Sequence, residues 1–176
     1  MNAEAEREQR FTDLFHAHVA HVRGFARTLV REPDTDDIVA STFRTAWVRL
    51  DQIPRLSQKA WLFGVARHHT LNHVRSERRR EVLIDALGVL QPVDWVGLHH
   101  GEVDPVEAEP LLQALKQLHS GEREVLQLAA WYEMRPAEIA TVLGIGDVAA
   151  RVRLHRARQH LAELVRGIEA KGARDV

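Results

Sequence analysis

Arginine and histidine side chains recur on one face of a helix predicted from residue 147 to about residue 165. Apolar residues at helical spacing form its inward stripe: Ala150, Leu154, Ala157 and Leu161. The outward face carries Asp147, Val148, Arg151, His155 and Arg158, flanked by Arg153, Arg156 and His160. Such a basic front suits the major groove of DNA, where the first turns reach base edges and later arginines reach phosphates. The pattern also fits the solvated basic face of an ordinary helical hairpin.

A shorter helix is predicted directly before the basic one, over residues 136–143. Pro136 suits the first position of a helix, where no amide hydrogen bond is lost, and Gly144 supplies the left-handed conformation that ends one. The tight turn Gly144-Ile145-Gly146 then leads into Asp147. Together these elements predict a helix-turn-helix.

A second basic segment ends a helix predicted from residue 58 to about residue 80, which Ser57 can cap. The start of this helix is apolar and suits a core: Trp61, Leu62, Val65 and Ala66. Its later part carries His68, His69, Asn72, His73, Arg75, Arg78, Arg79 and Arg80. Such an end can bind phosphates or be solvated, and polar side chains among arginines also suit single-stranded or melted DNA.

Two amphipathic helices are predicted before this one. The first runs from about residue 9 to residue 30, and Glu32-Pro33-Asp34 ends it. Asp34 can cap the second helix, whose apolar stripe is Val39, Phe43, Ala46, Trp47 and Leu50. The opposite face is not needed for capping or core packing, and it carries Asp37, Ser41, Arg44, Thr45 and Val48.

Residues 81–109 contain seven acidic residues, no lysine or arginine, and several prolines and glycines. We interpret them as an acidic flexible linker with a short helix near residues 82–90. Periodicity returns after Pro110, and Ser120 can cap the next helix, so residues 110–176 form a four-helix domain that contains the helix-turn-helix. No strand-like alternation occurs. The predicted fold class is therefore all-α, with two small helical domains, residues 1–80 and 110–176, joined by the linker.

The composition of the 176-residue chain narrows its function. The net charge of −1 conceals two basic segments and an acidic middle. The absence of cysteine excludes thiolate chemistry, disulfides and Cys-type zinc sites. The eleven histidines form no HExxH signature, and there is no Gly-rich phosphate loop or GxSxG elbow, so we expect no metal, cofactor or catalytic residue. No apolar run approaches the roughly 20 residues that cross a bilayer, so we expect a cytoplasmic protein without membrane insertion.

Two stretches resemble the conserved domains of bacterial RNA polymerase sigma factors of the extracytoplasmic-function (ECF) group. The N-terminal domain of the family resembles two successive segments of this chain, DDIVASTFRTAWVRLDQI and KAWLFGVARHHTLNHVRSERRR. The C-terminal domain of the family resembles the segment LLQALKQLHSGEREVLQLAAWYEMRPAEIATVLGIGDVAARVRLHRAR. The resemblance covers roughly residues 10–80 and 110–165, in the family order and with a linker between. It implies a non-enzymatic subunit that binds core polymerase and directs promoter-specific transcription initiation.

The resemblance also implies three binding surfaces. The helix over residues 37–50 would bind the coiled coil of the polymerase clamp, through Asp37, Ser41, Arg44, Thr45 and Val48. The helix over residues 61–80 would melt and read the downstream promoter element, through Trp61, Arg67, His68, Asn72, Arg75, Arg78 and Arg79. The helix over residues 147–158 would read the upstream element as duplex, through Asp147, Val148, Arg151, Arg153, His155, Arg156 and Arg158. An anti-sigma factor is a further partner that the resemblance allows.

Several positions depart from the family pattern. Ala40-Ser41 stand where the family has a Gln-Glu pair, which removes polar groups expected to contact polymerase. His68 and His69 replace an asparagine and an apolar residue, so the downstream-element preference of the family is not carried over. Gly146 replaces the customary serine cap, so the recognition helix is less well capped. In the same helix, Ala149-Ala150 replace Thr-Val.

Two questions stay open at this point. A stand-alone helix-turn-helix regulator, whose N-terminal helices sense a ligand or dimerise, is the alternative function, and an enzyme is a distant third. The acidic stretch either screens the flanking basic segments or threads into the positively charged channel of polymerase. We favour the channel, because exposed charges are screened within about 8 Å at physiological salt. The carboxylates concerned are Glu81, Asp85, Asp94, Glu102, Asp104, Glu107 and Glu109.

Overall fold

Residues 3–30, 32–81 and 105–172 are described by the computed structural model, and they contain seven α-helices, one short 3-10 helix and no strand. The helices are α1 (Ala3–Arg27), α2 (Glu32–Val48), α3 (Gln58–Glu81), α4 (Pro105–Gln117), α5 (Ser120–Ala130), α6 (Pro136–Leu143) and α7 (Asp147–Gly172), and the 3-10 helix is Leu50–Gln52. They form two units, one of α1, α2 and α3, the other of α4, α5, α6 as far as Ala140, and α7. The predicted all-α class with two helical domains is confirmed, whereas the domain boundaries stay a prediction.

Aromatic side chains form much of the core of the first unit, in which α1, α2 and α3 all contact one another. The rings of Phe25 in α1 and Phe63 in α3 are fully buried and stack with centroids 4.5 Å apart and an interplanar angle of 10°. Nearer the start of α1, the rings of Phe15 and Phe43 meet edge to face at 4.7 Å. Such aromatic pairs add about 0.5–1.5 kcal/mol to the effect of burial alone. Rings at two levels therefore hold the three helices together.

The apolar stripe predicted for α2 is buried except at one position. Trp47 is 38% exposed and lies at the edge of the contact with α1, where its ring meets that of Phe11 at 5.2 Å. The Arg7 guanidinium lies 5.3 Å from the ring centroid of Trp47, which is a cation–π distance. The other members of the stripe are buried: Val39, Phe43, Ala46 and Leu50.

Two arginines of α1 bind the carboxyl end of α2 and the 3-10 helix that follows it. Arg7 Nη2 donates to the Trp47 carbonyl at 2.8 Å, and Arg10 Nη2 donates to the Leu50 carbonyl at 2.9 Å. Both guanidinium groups also pair with the carboxylate of Asp51, at 2.6 and 3.3 Å respectively. Carbonyls at the end of a helix have no partner within it, and cations there also complement the helix dipole. Thus α1 caps α2 as well as packing against it.

Two predicted helix starts in the first unit are wrong. The first helix lies further towards the amino end than predicted, with Glu4 and Glu6 favourably placed in its first turn. The second begins at Glu32, so Asp34 lies inside the first turn and is not its cap. The Asp34 carboxylate instead meets His73 of α3, at 3.3 Å between Oδ1 and Nε2. By contrast, α3 has close to its predicted bounds.

In the second unit, α4 and α5 both pack against α7. The predicted inward stripe of α7 is confirmed, because Ala150, Leu154 and Ala157 are buried and Leu161 is half-buried. The same unit buries leucine, valine and isoleucine side chains from the shorter helices: Leu115, Leu118, Val125, Leu128 and Ile139. The rotation of α7 about its own axis is therefore set by the burial of its apolar stripe.

Helix ends in the second unit differ from the prediction at two places before α6. The fourth helix begins at Pro105, so residues 105–109 of the predicted linker are helical and Pro110 lies inside α4. Residues 82–104, which include the predicted short helix and most of the acidic stretch, lie outside the described residues. His119, not Ser120, caps α5, because a reciprocal pair forms there with Glu122. The Glu122 carboxylate accepts the His119 amide at 3.1 Å, and the Glu122 amide donates to the His119 carbonyl at 3.0 Å.

The last helix is longer than predicted and continues to Gly172. Its apolar stripe does not stop at Leu161, because Leu164, Val165 and Ile168 are half-buried at the spacing that continues it. None of the described helices, including the extended α7, is both long and apolar enough to span a bilayer.

We expect Phe25→Ala to lower the free energy of unfolding of the first unit by about 3–5 kcal/mol, because it removes one ring of a fully buried stack and leaves a cavity. Leu56→Ala is the matched control, since the Leu56 side chain is 97% exposed and its loss should change stability by less than about 0.5 kcal/mol. Urea unfolding followed by circular dichroism measures both variants. Equal stability of the two variants would contradict the assigned core.

Candidate nucleic-acid interface

The turn between α6 and α7 has the geometry that its glycines predict. Gly144 ends α6 with a φ of 65°, a left-handed conformation in which a side chain would be strained. The amide of Ile145 donates to the Ala140 carbonyl at 3.1 Å, the bond that closes a Schellman C-cap. The Gly146 carbonyl then accepts the Ala150 amide at 3.0 Å in the first turn of α7. The predicted helix-turn-helix is present, and its short connection fixes where α7 starts.

The outward face of α7 presents its polar side chains to solvent. All seven residues predicted to contact the upstream element are exposed: Asp147, Val148, Arg151, Arg153, His155, Arg156 and Arg158. Over the described ranges, no hydrogen bond or ion pair occupies the four guanidinium groups of this set. Unpaired guanidinium groups on one helix repel each other, and they bind phosphate oxygens through strong, charge-assisted hydrogen bonds.

Val152 belongs to the exposed face of α7 and was missed by the sequence analysis. Its side chain is 42% exposed, and that of Val148, one turn earlier, is 70% exposed. Measured from the buried stripe, the two valines point almost directly away from the core, whereas Arg151 lies to one side of them. The sequence contained the signal, because Val152 follows Val148 by four residues and falls outside the apolar stripe.

A carboxylate joins α5 to α7. Glu122 of α5 is held by His160 of α7, at 3.0 Å between Oε1 and Nδ1, and by the backbone amide of His119. Burial opposes the charged form of this carboxyl, but the hydrogen bonds from His160 and His119 outweigh burial and hold the pKa of Glu122 below its ordinary value. His160 was predicted to flank the basic face, and it contacts α5 instead.

The second half of α3 presents part of the predicted downstream surface. Asn72 Nδ2 donates to His68 Nε2 at 2.9 Å. Three of the predicted residues are exposed and share one helix face: His68, Asn72 and Arg75. Two more are half-buried, Trp61 and Arg67, and the side chains of Arg78 and Arg79 lie outside the described part of the chain. The structure therefore brings three polar side chains together on α3.

A hydrogen bond between Thr45 and His69 joins α2 to α3. Thr45 Oγ1 donates its hydrogen to the Ser41 carbonyl at 2.9 Å, so its contact with His69 Nε2, also 2.9 Å, must accept a hydrogen from the ring. His69 therefore carries a hydrogen on Nε2. Burial, followed by the nearby charges of His68 and Arg44, lowers the pKa of His69. The histidine at position 69 thus provides a specific polar contact between the two helices.

The face of α2 predicted to bind polymerase is partly exposed. Asp37, Arg44 and Val48 are exposed, and Val48 reaches 71%. Ser41 and Thr45 are half-buried, because Thr45 also takes part in the contact with α3. The face therefore offers two charges and one apolar side chain to a partner.

The histidine pairs do not form a metal site in the described part of the chain. The rings of His18 and His21 are 6.4 Å apart, and His18 Nε2 meets Gln58 Oε1 at 3.4 Å. Burial lowers the pKa of His18, and the hydrogen bond with Gln58 opposes this effect. No group of three or more His, Cys, Asp or Glu residues that could hold a metal ion occurs among the described residues, and His99 and His100 lie outside them.

Comparison with known protein families identifies both helical units. The family described as Sigma-70 region 2 matches residues 14–80, and Sigma-70, region 4 matches residues 108–161. The RNA polymerase sigma factor CnrH of Cupriavidus metallidurans is 32% identical, over 93% of this chain and 90% of its own length. The ECF RNA polymerase sigma factor SigL of Mycobacterium tuberculosis is 31% identical, over 82% of each chain. The chain belongs to the ECF group of sigma factors.

Solved structures of sigma factors have the same helical fold. The structure of CnrH in complex with the cytosolic domain of CnrY has a TM-score of 0.56 and 27% identity, and the match covers 89% of this chain and 88% of that chain. RpoE in complex with the anti-sigma factor NepR, from Bartonella quintana, has a TM-score of 0.66 at 24% identity, covering 89% and 96% of the two chains. Since both sigma regions are present, a stand-alone helix-turn-helix regulator is not favoured for this sigma factor.

We expect Glu122→Ala to lower the free energy of unfolding by about 1 kcal/mol near neutral pH, because it removes the reciprocal cap of α5 and the bond to α7. The folded-state pKa of Glu122 lies below its ordinary value of 4.5, so its contribution is present above that pH and is lost as the pH falls through the lower folded value. The difference between the sigma factor and the variant should therefore shrink at pH values below 4.5.

Denaturant unfolding at a series of pH values measures this difference. Glu163→Ala, which removes an exposed carboxylate of α7, is the control and should leave stability almost unchanged throughout. A difference between Glu122→Ala and the unaltered protein that is as large at about pH 3 as at pH 7 would contradict the assigned role of the carboxylate.

Proposed function

We propose that this sigma factor binds core RNA polymerase through α2 and brings two DNA-contacting helices to the promoter, α3 for the downstream element and α7 for the upstream element. The observation that supports it best is the exposed face of α7, whose four guanidinium groups have no partner within the described ranges. The sigma factor would supply binding and no catalysis of its own, would need no cofactor, and would act in the cytoplasm where polymerase works.

The order of residues along α7 suits duplex DNA. Short side chains stand in its first turn, at Asp147 and Val148, and leave room for the helix to approach base edges. Arg151 follows on the next turn and is proposed to contact a base edge. The contacts proposed further along are with phosphates, through Arg153, His155, Arg156 and Arg158. Each phosphate that α7 neutralises should make binding more dependent on salt concentration.

The polar face of α3 suits a melted strand. His68, Asn72 and Arg75 are exposed on one side of the helix, which places a ring, an amide and a guanidinium on the same face. Unpaired bases stack on rings and take hydrogen bonds from amides, while a guanidinium neutralises the backbone. The proposed downstream contacts also include Trp61, Arg67, Arg78 and Arg79.

The exposed face of α2 suits a protein partner. The charges of Asp37 and Arg44 make no hydrogen bond or ion pair with another described residue, so folding does not require them. Val48 is a large apolar side chain left 71% exposed on the same face. A charged patch with one apolar residue is suited to a specific interface, and we assign it to the coiled coil of the polymerase clamp, together with Ser41 and Thr45.

An anti-sigma factor is a further proposed partner. CnrH, which is 27% identical in the solved structure, is held there by the cytosolic domain of CnrY. RpoE, which shares the fold, is held by the anti-sigma factor NepR. By analogy, a protein of this kind would cover one of the polymerase- or DNA-binding surfaces and keep this sigma factor from initiating.

We expect the double variant Asp37→Ala, Arg44→Ala to bind core polymerase about tenfold more weakly, because the minority of interface residues that each contribute more than about 1 kcal/mol is enriched in arginine. Helicity and thermal stability should stay almost unchanged, since neither side chain is buried. Fluorescence anisotropy with purified core enzyme measures the affinity. Glu8→Ala, an exposed charge on α1, is the control, and an affinity equal to that of the control would remove α2 from the interface.

Run-off transcription with purified core polymerase tests the function as a whole, because core enzyme alone does not initiate at a promoter and a sigma factor must enable it. The double variant His68→Ala, Asn72→Ala should lower the yield of run-off transcript from a duplex promoter by about tenfold, which is the effect expected for the loss of one base contact. A promoter melted in advance should restore it, because strand opening is then no longer required.

The control for this rescue is Arg153→Ala, which should also weaken initiation but through the upstream duplex. Melting the downstream element in advance should not restore its activity. If the His68 and Asn72 variant behaves like the Arg153 variant on both templates, the face of α3 has no role in strand opening.

A further inference from the structure

Two large apolar side chains interrupt the basic face of α7. Within residues 147–172, the large apolar side chains left exposed are Val148, at 70%, and Val152, at 42%. They lie one turn apart on the side of α7 opposite the buried Ala150, Leu154 and Ala157. We call this pair the valine strip.

Folding does not account for the valine strip. Neither side chain is buried, so neither contributes to the core of the second unit. A β-branched residue is also a weaker helix former than alanine, so both positions are less favourable for α7 than alanine would be. Single exposed valines are common on protein surfaces, but this pair is contiguous and stands in the first two turns of a recognition helix.

Basic side chains border the valine strip on both sides. Arg151 and His155 lie along one edge, and Arg153 and Arg156 lie along the other, all of them exposed. A second copy of α7 would bring like charges together at both edges, so the strip is unsuited to self-association. A groove with a phosphate backbone on each side matches the arrangement, because cations at the two edges would reach the backbones, Arg151 would reach a base edge beside the valines, and the valines would face the floor.

We propose that Val148 and Val152 contact the C5-methyl groups of thymines in the upstream promoter element and so recognise these bases. This rests on the proposed function of α7 and specifies which bases it recognises. Valine has no hydrogen-bonding group in its side chain, so it cannot read the donors and acceptors of base edges. The thymine methyl is the apolar group that the major groove displays.

The spacing of the strip limits where those thymines stand. Residues one helical turn apart have Cβ atoms about 5–6 Å apart, and successive base pairs lie about 3.4 Å apart. The two valines therefore reach methyl groups on adjacent base pairs or on base pairs separated by one other. Thymines spaced more widely than this would not be read by both side chains.

Replacing thymine by uracil tests the proposal, because uracil lacks only the methyl group and pairs with adenine in the same way. Holoenzyme made from the full chain and core polymerase first selects its preferred upstream sequence from duplexes randomised at that element. Each thymine of the selected duplex is then replaced by uracil in turn, and binding is measured. We expect about fourfold weaker binding for each contacted methyl, the effect of one buried group of that size.

The double variant Val148→Ala, Val152→Ala should discriminate less between the thymine and uracil duplexes, because alanine lacks the two methyl groups with which valine reaches the base. Alanine favours the helix, so α7 should stay folded, which circular dichroism checks. Arg153→Ala is the matched control. It should bind both duplexes more weakly by the same factor and keep the fourfold preference for thymine, because its proposed contact is with a phosphate.

Three outcomes are distinguishable. A selected sequence with a thymine sensitivity that falls in the valine variant supports the proposal. A selected sequence that binds equally well with uracil, or a sensitivity that is unchanged in the valine variant, overturns it and leaves the proposed function of α7 standing. Failure of the holoenzyme to select any upstream sequence would overturn both.

Discussion

The burial of one apolar stripe on α7 is the constraint on which the proposed DNA-binding surface depends. Once Ala150, Leu154 and Ala157 are placed in the core of the second unit, the orientation of every other side chain on the helix follows from its rotation per residue. The Gly144 turn fixes where the helix starts, and burial fixes how far it is rotated. Four guanidinium groups and two valines then face solvent, and none of the guanidinium groups has a hydrogen-bond or ion-pair partner within the described ranges. The burial of the apolar stripe therefore determines which side chains form the proposed DNA-binding surface.

Polar contacts between helices add precision to the apolar packing. Glu122 with His160 joins α5 to α7, and Thr45 with His69 joins α2 to α3. Two arginines of α1, at positions 7 and 10, bind carbonyls at the end of α2 and in the 3-10 helix after it. Each of these contacts satisfies a group that would otherwise lose hydrogen bonds on partial burial. They are also directional, which an apolar contact is not. Packing therefore brings the helices together, and these pairs restrict how they slide or rotate against one another.

Local signals in the sequence predicted most of this architecture. The bounds of α6 and the start of α7 follow from Pro136 and Gly144, which act through their own backbone geometry. Periodicity predicted which faces are buried, because burial repeats with the helical turn. Helix ends were predicted less well where they depend on partners that are distant in sequence. The start of α1 contacts Asp51. By contrast, the extension of α7 follows an apolar spacing that the sequence already contains.

In the candidate sites, too, features that depend on local spacing could be predicted from the sequence, and those that depend on distant residues could not. The exposure of the seven residues predicted on α7 could be foreseen, since each falls outside the apolar stripe. The roles of His69 and His160 could not, because their partners are 24 and 38 residues away along the chain. Val152 was overlooked for another reason. Its spacing from Val148 shows in the sequence that it lies outside the apolar stripe, but valine carries no charge and is not an obvious DNA contact.

The buried stripe and the outward face of α7 consist of different residues, and this affects how promoter preference can change during evolution. Substitutions at Val148, Arg151 or Val152 alter side chains that support no buried contact, so they can accumulate without loss of the fold. After duplication of such a gene, one copy can drift to a new set of promoters through a few changes on this face. The fold would then be inherited unchanged while the genes under its control diverge.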